Sequence, residues 1–245
     1  MHRFFAPTLD VGDETVVLPK DEAEHLRRVL RLGVGDTVSV FDGRGHEFVA
    51  RVTVALPRET RVQLMTRLEP PAEATVPITI AQAVLKGDKM DDVVRDAVML
   101  GASAIQPLVT KRTEVTVAAL LRASRVERWR RVAVASVKQS HRAVVPDIRT
   151  PLSFDSHLEE PFGGLQLMLV EPQAHTDVEP ISVLKRESPP ADVSIWIGPE
   201  GGWDEREWKS ARERGVRLIS LGQRTLRADA VPVAIVSILS FLWEH

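Results

Sequence analysis

Ile197-Gly198-Pro199-Glu200-Gly201-Gly202-Trp203 is the stretch on which the reading of this chain turns. It closes an apolar run, Val193 to Ile197, and opens onto a charged helical pattern, so it reads as strand, tight loop, helix. Pro199 removes an amide donor and fixes φ, while Gly198, Gly201 and Gly202 permit positive φ and let a ligand approach bare backbone. The helix is marked at its start: Asp204 can cap it, Glu207 stands where a capping box needs a carboxylate, and Trp203 with Trp208 occupy the positions of a hydrophobic staple. On these residues alone the loop is either a ligand cradle or a plain β-α connection.

Working outward, a second apolar strand around Ile219-Ser220-Leu221 leaves through Gly222-Gln223-Arg224-Thr225-Leu226-Arg227-Ala228-Asp229-Ala230 into another helix. A third, Leu165 to Val170, ends at Glu171-Pro172. Ligands of open α/β sheets sit beyond the carboxyl ends of the strands, so these loops are expected to wall one pocket. Upstream, Ile78 to Val84, a helix from Lys89 to Leu100 with Met90, Val93, Val94, Ala97 and Val98 inward, and Ala104 to Val109 form a strand-helix-strand unit of a parallel sheet.

With both glycine loops in view, the chain resembles the bacterial 16S ribosomal RNA uracil-N3 methyltransferases of the SPOUT superfamily, whose signature is G-P-E-G-G followed by L-G-x-R-I-L-R-x-E-T-A. The likeness extends to His2-Arg3-Phe4-Phe5, Leu85-Lys86-Gly87-Asp88-Lys89, Leu100-Gly101-Ala102 and Gln139-Ser140-His141-Arg142. It implies an α/β fold: a C-terminal SPOUT-type parallel sheet with helices and a deep trefoil knot, plus a small N-terminal PUA-like, RNA-binding β-barrel. The division expected is residues 1–70, a proline-rich linker over 71–77, and 78–245.

The cofactor implied is S-adenosylmethionine, held by Leu169, Glu171, Ile197, Gly198, Pro199, Glu200, Gly201, Gly202, Leu221, Gly222, Leu226 and Arg227. Arg227 or Arg224 could stabilise charge on the uracil carbonyls, and Asp229 or Glu200 could take the N3 proton, unless Glu200 instead orients its loop by accepting amides. Arg3, Arg27, Arg28, Lys86, Lys89, Arg112, Lys138, Gln139 and Arg142 are expected to face 16S ribosomal RNA of the small subunit. Four positions depart from the pattern: Asp229 stands where Glu is usual, Val231 near the Thr-Ala, and Lys138 and Met99 replace common glutamates. The Asp229 carboxylate reaches about one methylene less far than the usual Glu. Three other readings stay open: a ribose 2′-O-methyltransferase of the same superfamily, a non-catalytic ribosome-assembly factor, and a phosphate-handling enzyme that uses the glycine loop as an anion site.

Composition narrows the field. A length of 245 residues suits one small and one medium domain, and the net charge of −2 requires any RNA surface to come from local clustering. The densest cluster is Lys111 to Arg142, with nine Lys or Arg against two Glu, most of it on a helix from Ser124 to Gln139. There Trp129, Val132, Val134, Ala135 and Val137 are expected inward, and only Glu127 is at hand locally to pair the arginines. Cysteine is absent, which removes disulfides and thiolate chemistry, and the seven histidines show no paired metal spacing. No secretory pattern opens the chain, and the apolar run Ala230 to Trp243 falls short of the ~20 residues a bilayer needs, so a soluble, cytoplasmic protein is expected. That run is apolar on all sides, which points to a homodimer built through it.

In the N-terminal part, Lys20 to Arg31 reads as a helix with a capping pair at Asp21 and Glu24 that groups Arg27, Arg28 and Arg31. Thr37 to Phe41 and Glu47 to Val54 alternate around the turn Asp42-Gly43-Arg44-Gly45, and Arg61 to Leu68 adds a strand.

Overall fold

Alternating apolar residues generate the first unit, and near-continuous apolar runs the second. In the computed structural model, which describes residues 1–172 and 178–244, contacts group the chain into two units. One comprises Met1–Glu73 with Val134–Val145, the other Ala74–Ala133 with Pro146–His245.

The first unit holds β1 (Arg3–Phe5), β2 (Thr15–Val17), a short α1 (Lys20–Glu24), β3 (Thr37–Phe41), β4 (Glu47–Leu56) and β5 (Glu59–Leu68). The strands form one sheet in the order β1-β3-β4-β5-β2, parallel between β1 and β3 and antiparallel elsewhere. Phe4, Leu26, Val38, Val40, Phe48, Val52 and Val62 fill its core. The expected helix over Lys20 to Arg31 differs in form: α1 gives way to a wide π turn over His25–Val29, and Arg31 takes a left-handed backbone with φ 58°. The capping box on Asp21 and Glu24 does not form, because Pro19 is the cap and no side chain accepts there.

Residues 134–145 join this unit because Arg3 ties them to it. The Arg3 guanidinium grips Glu47 through two bonds of 2.9 and 2.7 Å and donates to the carbonyls of Val137, Lys138 and Arg142. Lys138 Nζ reaches both carboxylate oxygens of Glu22 at 2.9 and 2.8 Å.

The second unit contains β6 (Ile78–Ala83), α2 (Lys89–Met99), β7 (Ala104–Val109), α3 (Val117–Arg122), the first part of α4 (Arg125–Ser140), β8 (Asp147–Ile148), β9 (Leu152–Ser153) and α5 (Phe154–Glu159). It continues with β10 (Leu165–Leu169), β11 (Glu179–Pro180), β12 (Val193–Ile197), α6 (Glu205–Glu213), β13 (Arg217–Ser220) and α7 (Val231–Trp243). The sheet runs β11-β13-β10-β12-β6-β7-β8, with β9 also on β7, and every pairing is parallel. Strands covered on both faces need apolar residues at every position, which is why β6 and β12 are buried throughout. The five expected residues of α2 are all buried. The buried stripe of α4 is Trp129, Ala133, Ser136 and Val137, so Ala135 points outward, contrary to expectation, and the helix turns a narrower apolar face to its neighbours. Helix α7 packs on α2 and buries Pro232, Ile235, Val236 and Leu239, while Val233 and Phe241 remain 37% and 67% exposed.

Helix α5 places His157 in the core, 6% exposed, with its ring 4.7 Å from that of Trp196. Neither ring nitrogen has a hydrogen-bond partner, and the Glu160 carboxylate at 3.5 Å is too distant for a good one. Burial pushes the imidazole below the ordinary 6.5, against the weaker pull of Glu160. The unfolded chain then binds the proton more readily than the folded one, so stability is full above pH 6.5 and declines as pH falls below it. We expect the melting temperature to drop between pH 7 and 5, and His157→Phe to flatten that slope. An unchanged slope in the variant would assign the acid sensitivity to other groups.

Candidate active site

A parallel sheet brings the carboxyl ends of its strands to one edge, and here that edge holds a cavity of about 810 Å³. Its wall is made by Leu169 to Pro172 after β10, Ile197 to Trp203 from β12 onward, and Leu221 with Arg224 to Asp229 after β13. Lys89 at the start of α2, Arg112 beyond β7 and Val231 at the start of α7 complete it, with Glu205 and Trp208 from α6. Three loops that the sequence separates by tens of residues therefore meet in one place.

The Gly-Pro-Glu-Gly-Gly loop is a closed turn. The Gly202 amide donates to the Pro199 carbonyl at 2.9 Å, and Gly202 has φ 69°. Of the three glycines that permit positive φ in this loop, Gly202 is the one that adopts it, while Gly201 lies against the Arg112 side chain. At Gly198 a Cβ would stand 3.3 Å from the Trp203 ring, so glycine there is a packing requirement. Trp203 is fixed by its indole N–H, which donates to the Leu169 carbonyl at 2.9 Å and thereby joins the loops after β10 and β12. The capping box closes as the residues predict: Glu207 accepts from the Asp204 amide at 2.8 Å with one oxygen and from the Lys111 amide at 2.7 Å with the other.

Among the expected catalytic residues, Arg227 and Asp229 are bound to each other through two hydrogen bonds, 3.0 and 2.6 Å. The Arg227 guanidinium holds the Asp229 carboxyl below the usual carboxylate range, and in return Asp229 raises Arg227. Glu200 accepts from Lys89 Nζ at 2.9 Å and from the Lys86 amide at 3.2 Å. Burial works to raise the Glu200 carboxyl, but these partners and its own backbone amide hold it low. Arg224 and Leu226 line the cavity, whereas Gly222, with φ 128°, shapes the loop from outside the wall.

The residues expected to meet RNA divide into several groups. Arg3 and Arg142 are 8% and 6% exposed. Arg142 is paired with Glu73, so its guanidinium, like that of Arg3, is spent inside the protein, and the expected phosphate contact gives way to a structural one. Lys138 is occupied by Glu22 and stands 5.5 Å from the Phe4 ring. Arg27 is half-buried, and Arg28 and Gln139 are exposed. Lys86 Nζ pairs with Glu114 at 2.6 Å, while Lys89 and Arg112 belong to the cavity wall. The α4 cluster is also less free than expected, since Arg128 bonds Asp88 and Asp91 from the α2 region and Arg130 bonds Glu127. Pairing across elements cannot be seen in a local charge count. Trp203, Trp208 and Glu205 were not expected in the wall; the staple positions of the two tryptophans were the available signal.

Among the described residues no group of three His, Cys, Asp or Glu could hold a metal ion, and no helix is long and apolar enough to cross a membrane; His175 and His245 lie outside them. An all-parallel sheet with a ligand-sized cavity walled by glycine-turned loops accompanies a small β unit, and family comparison places the chain among the RNA methyltransferases. The RNA methyltransferase domain family matches residues 72–240 and the RNA methyltransferase PUA domain family residues 18–60.

This chain belongs to the ribosomal RNA small subunit methyltransferase E family. The Synechocystis sp. member is 34% identical over 245 residues, covering 99% of this chain and 78% of the relative. The Aquifex aeolicus member is 29% identical over 244 residues, covering 98% and 99%. A crystal structure of the Neisseria gonorrhoeae member bound to S-adenosyl methionine superposes with a TM-score of 0.87 at 31% identity, covering 99% of this chain and 98% of that one.

Proposed function

We propose that this protein transfers the methyl group of S-adenosylmethionine to N3 of a uridine in 16S ribosomal RNA, as a cytoplasmic homodimer. The observation that carries the reading is the convergence of three strand-end loops on one cavity with Arg227 and Asp229 in its wall. The volume of about 810 Å³ falls in the range of cofactor pockets, roughly 300–1,000 Å³. The fit also rests on bare backbone: Gly198, Gly201 and Gly202 carry no side chain that would hold a ligand away from the loop, and Gly202 supplies the left-handed turn.

When bound, S-adenosylmethionine supplies an electrophilic methyl group on a sulfonium. Leu169 to Glu171, Ile197 to Gly202 and Leu221 with Arg224 to Leu226 would hold it, and Trp203 fixes the first two segments relative to each other. Uracil N3 carries a proton on the Watson-Crick edge, so the base must be unpaired or extruded and the proton removed. As long as Arg227 grips Asp229, that carboxylate is a weak base. A uracil carbonyl that takes over the Arg227 guanidinium frees Asp229 to accept the N3 proton, which couples charge stabilisation to deprotonation. Arg224, in the same wall, offers a second cation to the uracil anion. The exposed Val233 and Phe241 of α7 supply the apolar face for a second copy. Family membership supports a trefoil knot in the C-terminal unit and RNA contact by the N-terminal one, where Arg28 is exposed.

The test is mass spectrometry of small-subunit ribosomal RNA from a strain lacking this protein. A methyluridine missing there, restored by the wild-type gene and not by Asp229→Asn, is the expected result. A full complement of base methylation with one ribose methyl missing would overturn the N3 assignment.

A further inference from the structure

Lys89 begins α2, where the helix dipole disfavours a cation, so its position needs a compensating anion. That anion is Glu200, whose Oε1 accepts from Lys89 Nζ at 2.9 Å and from the Lys86 amide at 3.2 Å. One residue further on, the Gly201 carbonyl accepts from Arg112 Nη1 at 2.6 Å. Two cations from the ends of neighbouring strands thus hold adjacent residues of a single turn, whose own closure is the bond from the Gly202 amide to the Pro199 carbonyl at 2.9 Å. The Gly198 carbonyl is met by Gln82 Nε2 at 3.4 Å. Each of the four residues from Gly198 to Gly201 is therefore bonded, and the shape of the turn is set before any ligand arrives.

We infer that Glu200 is a positioning residue: with Lys89 and Arg112 it latches the Pro199–Gly202 turn in its ligand-receiving shape, and it does not take the proton from the substrate. This rests on the methyltransferase reading above and deepens it, because it removes one of the two candidate proton acceptors and moves Lys89 and Arg112 from RNA contact to the cofactor loop. A carboxylate whose Oε1 already accepts an ammonium and an amide is a weaker base, and these bonds keep it charged as a latch requires.

The experiment compares wild type, Glu200→Gln, Lys89→Met, their double variant and Arg112→Ala. Each is assayed by calorimetric titration with S-adenosylmethionine, by kcat for small-subunit RNA at saturating cofactor, and by the pH profile of kcat. The latch predicts that each single variant raises the Kd for S-adenosylmethionine roughly three- to tenfold, and that the Glu200/Lys89 double variant is no weaker than either single one. It also predicts kcat within about twofold of wild type and a pH profile of unchanged shape. A Glu200→Gln enzyme with unaltered Kd and kcat down by about a hundredfold or more, or additive effects of the two substitutions, overturns it. Hydrogen exchange at the Gly202 amide, which Lys89→Met should accelerate, reads the latch without any ligand; unaltered exchange also overturns it. Accelerated exchange in Lys89→Met together with wild-type protein that binds no S-adenosylmethionine would leave the latch standing and sink the methyltransferase reading.

Discussion

Replacing Gly202 by valine is expected to weaken S-adenosylmethionine binding by about a hundredfold while leaving the parallel sheet folded. Gly202 sits at φ 69°, a conformation that costs an ordinary residue roughly 1–2 kcal/mol and a β-branched one more. A Cβ at this position would lie 3.6 Å from Glu171 Oε1 and 4.0 Å from Arg112 Nη1, so the two γ-methyls of valine must displace a wall of the cavity. The turn has an easier escape, which is to open the Gly202 to Pro199 bond and leave the cradle shape. Because the turn lines the cavity and meets the core cluster around Trp196 and Leu218 through Trp203, that escape damages the site more than the fold. Gly201→Ala is the control: φ there is ordinary and its Cβ would meet Arg112 side-chain carbons at 3.5 Å, an ordinary contact. Calorimetric titration and thermal melts of both variants check the contrast. Wild-type affinity in Gly202→Val would mean that the cofactor does not touch this turn.

The C-terminal unit was legible because its signals are local. Apolar runs bounded by glycine and proline mark β6, β10 and β12, and Asp204 with Glu207 marks the start of α6 to the residue. The convergence of the loops was also foreseeable, since parallel strands expose their carboxyl ends together. What escaped is long-range. Nothing near Arg3 in sequence announces Glu47 as its partner, still less the carbonyls of Val137, Lys138 and Arg142. Nor does the spacing of Arg142 point to Glu73, or that of Lys138 to Glu22. A basic side chain reads the same whether it ends in water, in a phosphate contact or in a buried carboxylate. Burial and pairing decide among these, and both are set by tertiary structure.

The division of the chain illustrates the same point. A linear reading places the whole of α4 after the linker, because the helix follows β7 and α3 in the chain. The fold assigns 134–145 to the first unit, since the last turns of α4 and the residues after it are bonded to β1 and the β3-β4 turn. The Gly45 amide bonds the Ala143 carbonyl at 3.1 Å and the Val145 amide the Gly43 carbonyl at 2.9 Å, contacts that the sequence pattern of a hairpin turn does not announce. Gly43 itself has φ 79°, and a Cβ there would come within 2.7 Å of Phe5 and 3.1 Å of Val145, so the turn residue is specified by the segment packed on it.

Arg3→Ala is expected to destabilise the N-terminal unit by roughly 3–5 kcal/mol, the range for removing one partner of a buried ion pair. The substitution strands Glu47, buried and hydrogen-bonded to Ser39, without its cation. Three carbonyls lose their donor at the same time, and the guanidinium leaves the Phe41 ring that it covers at 4.8 Å. Burial works to raise the Glu47 carboxyl, yet the Arg3 and Ser39 bonds hold it below 4.5 in the folded protein. A depressed carboxyl pKa contributes stability that is present above the unfolded value and lost as pH falls through the folded one. In Arg3→Ala the depression disappears and burial dominates, so the gap between wild type and variant should narrow as pH drops below about 4.5. Arg3→Lys should recover only part of the loss, because an ammonium lacks the fork that reaches Glu47 and the carbonyls together. Urea unfolding at pH 7 and pH 4 measures both effects. If Arg3→Ala kept wild-type stability and instead lowered the salt dependence of RNA binding by about one ion, Arg3 would be a phosphate contact after all, and the joining of residues 134–145 to the first unit would need another cause.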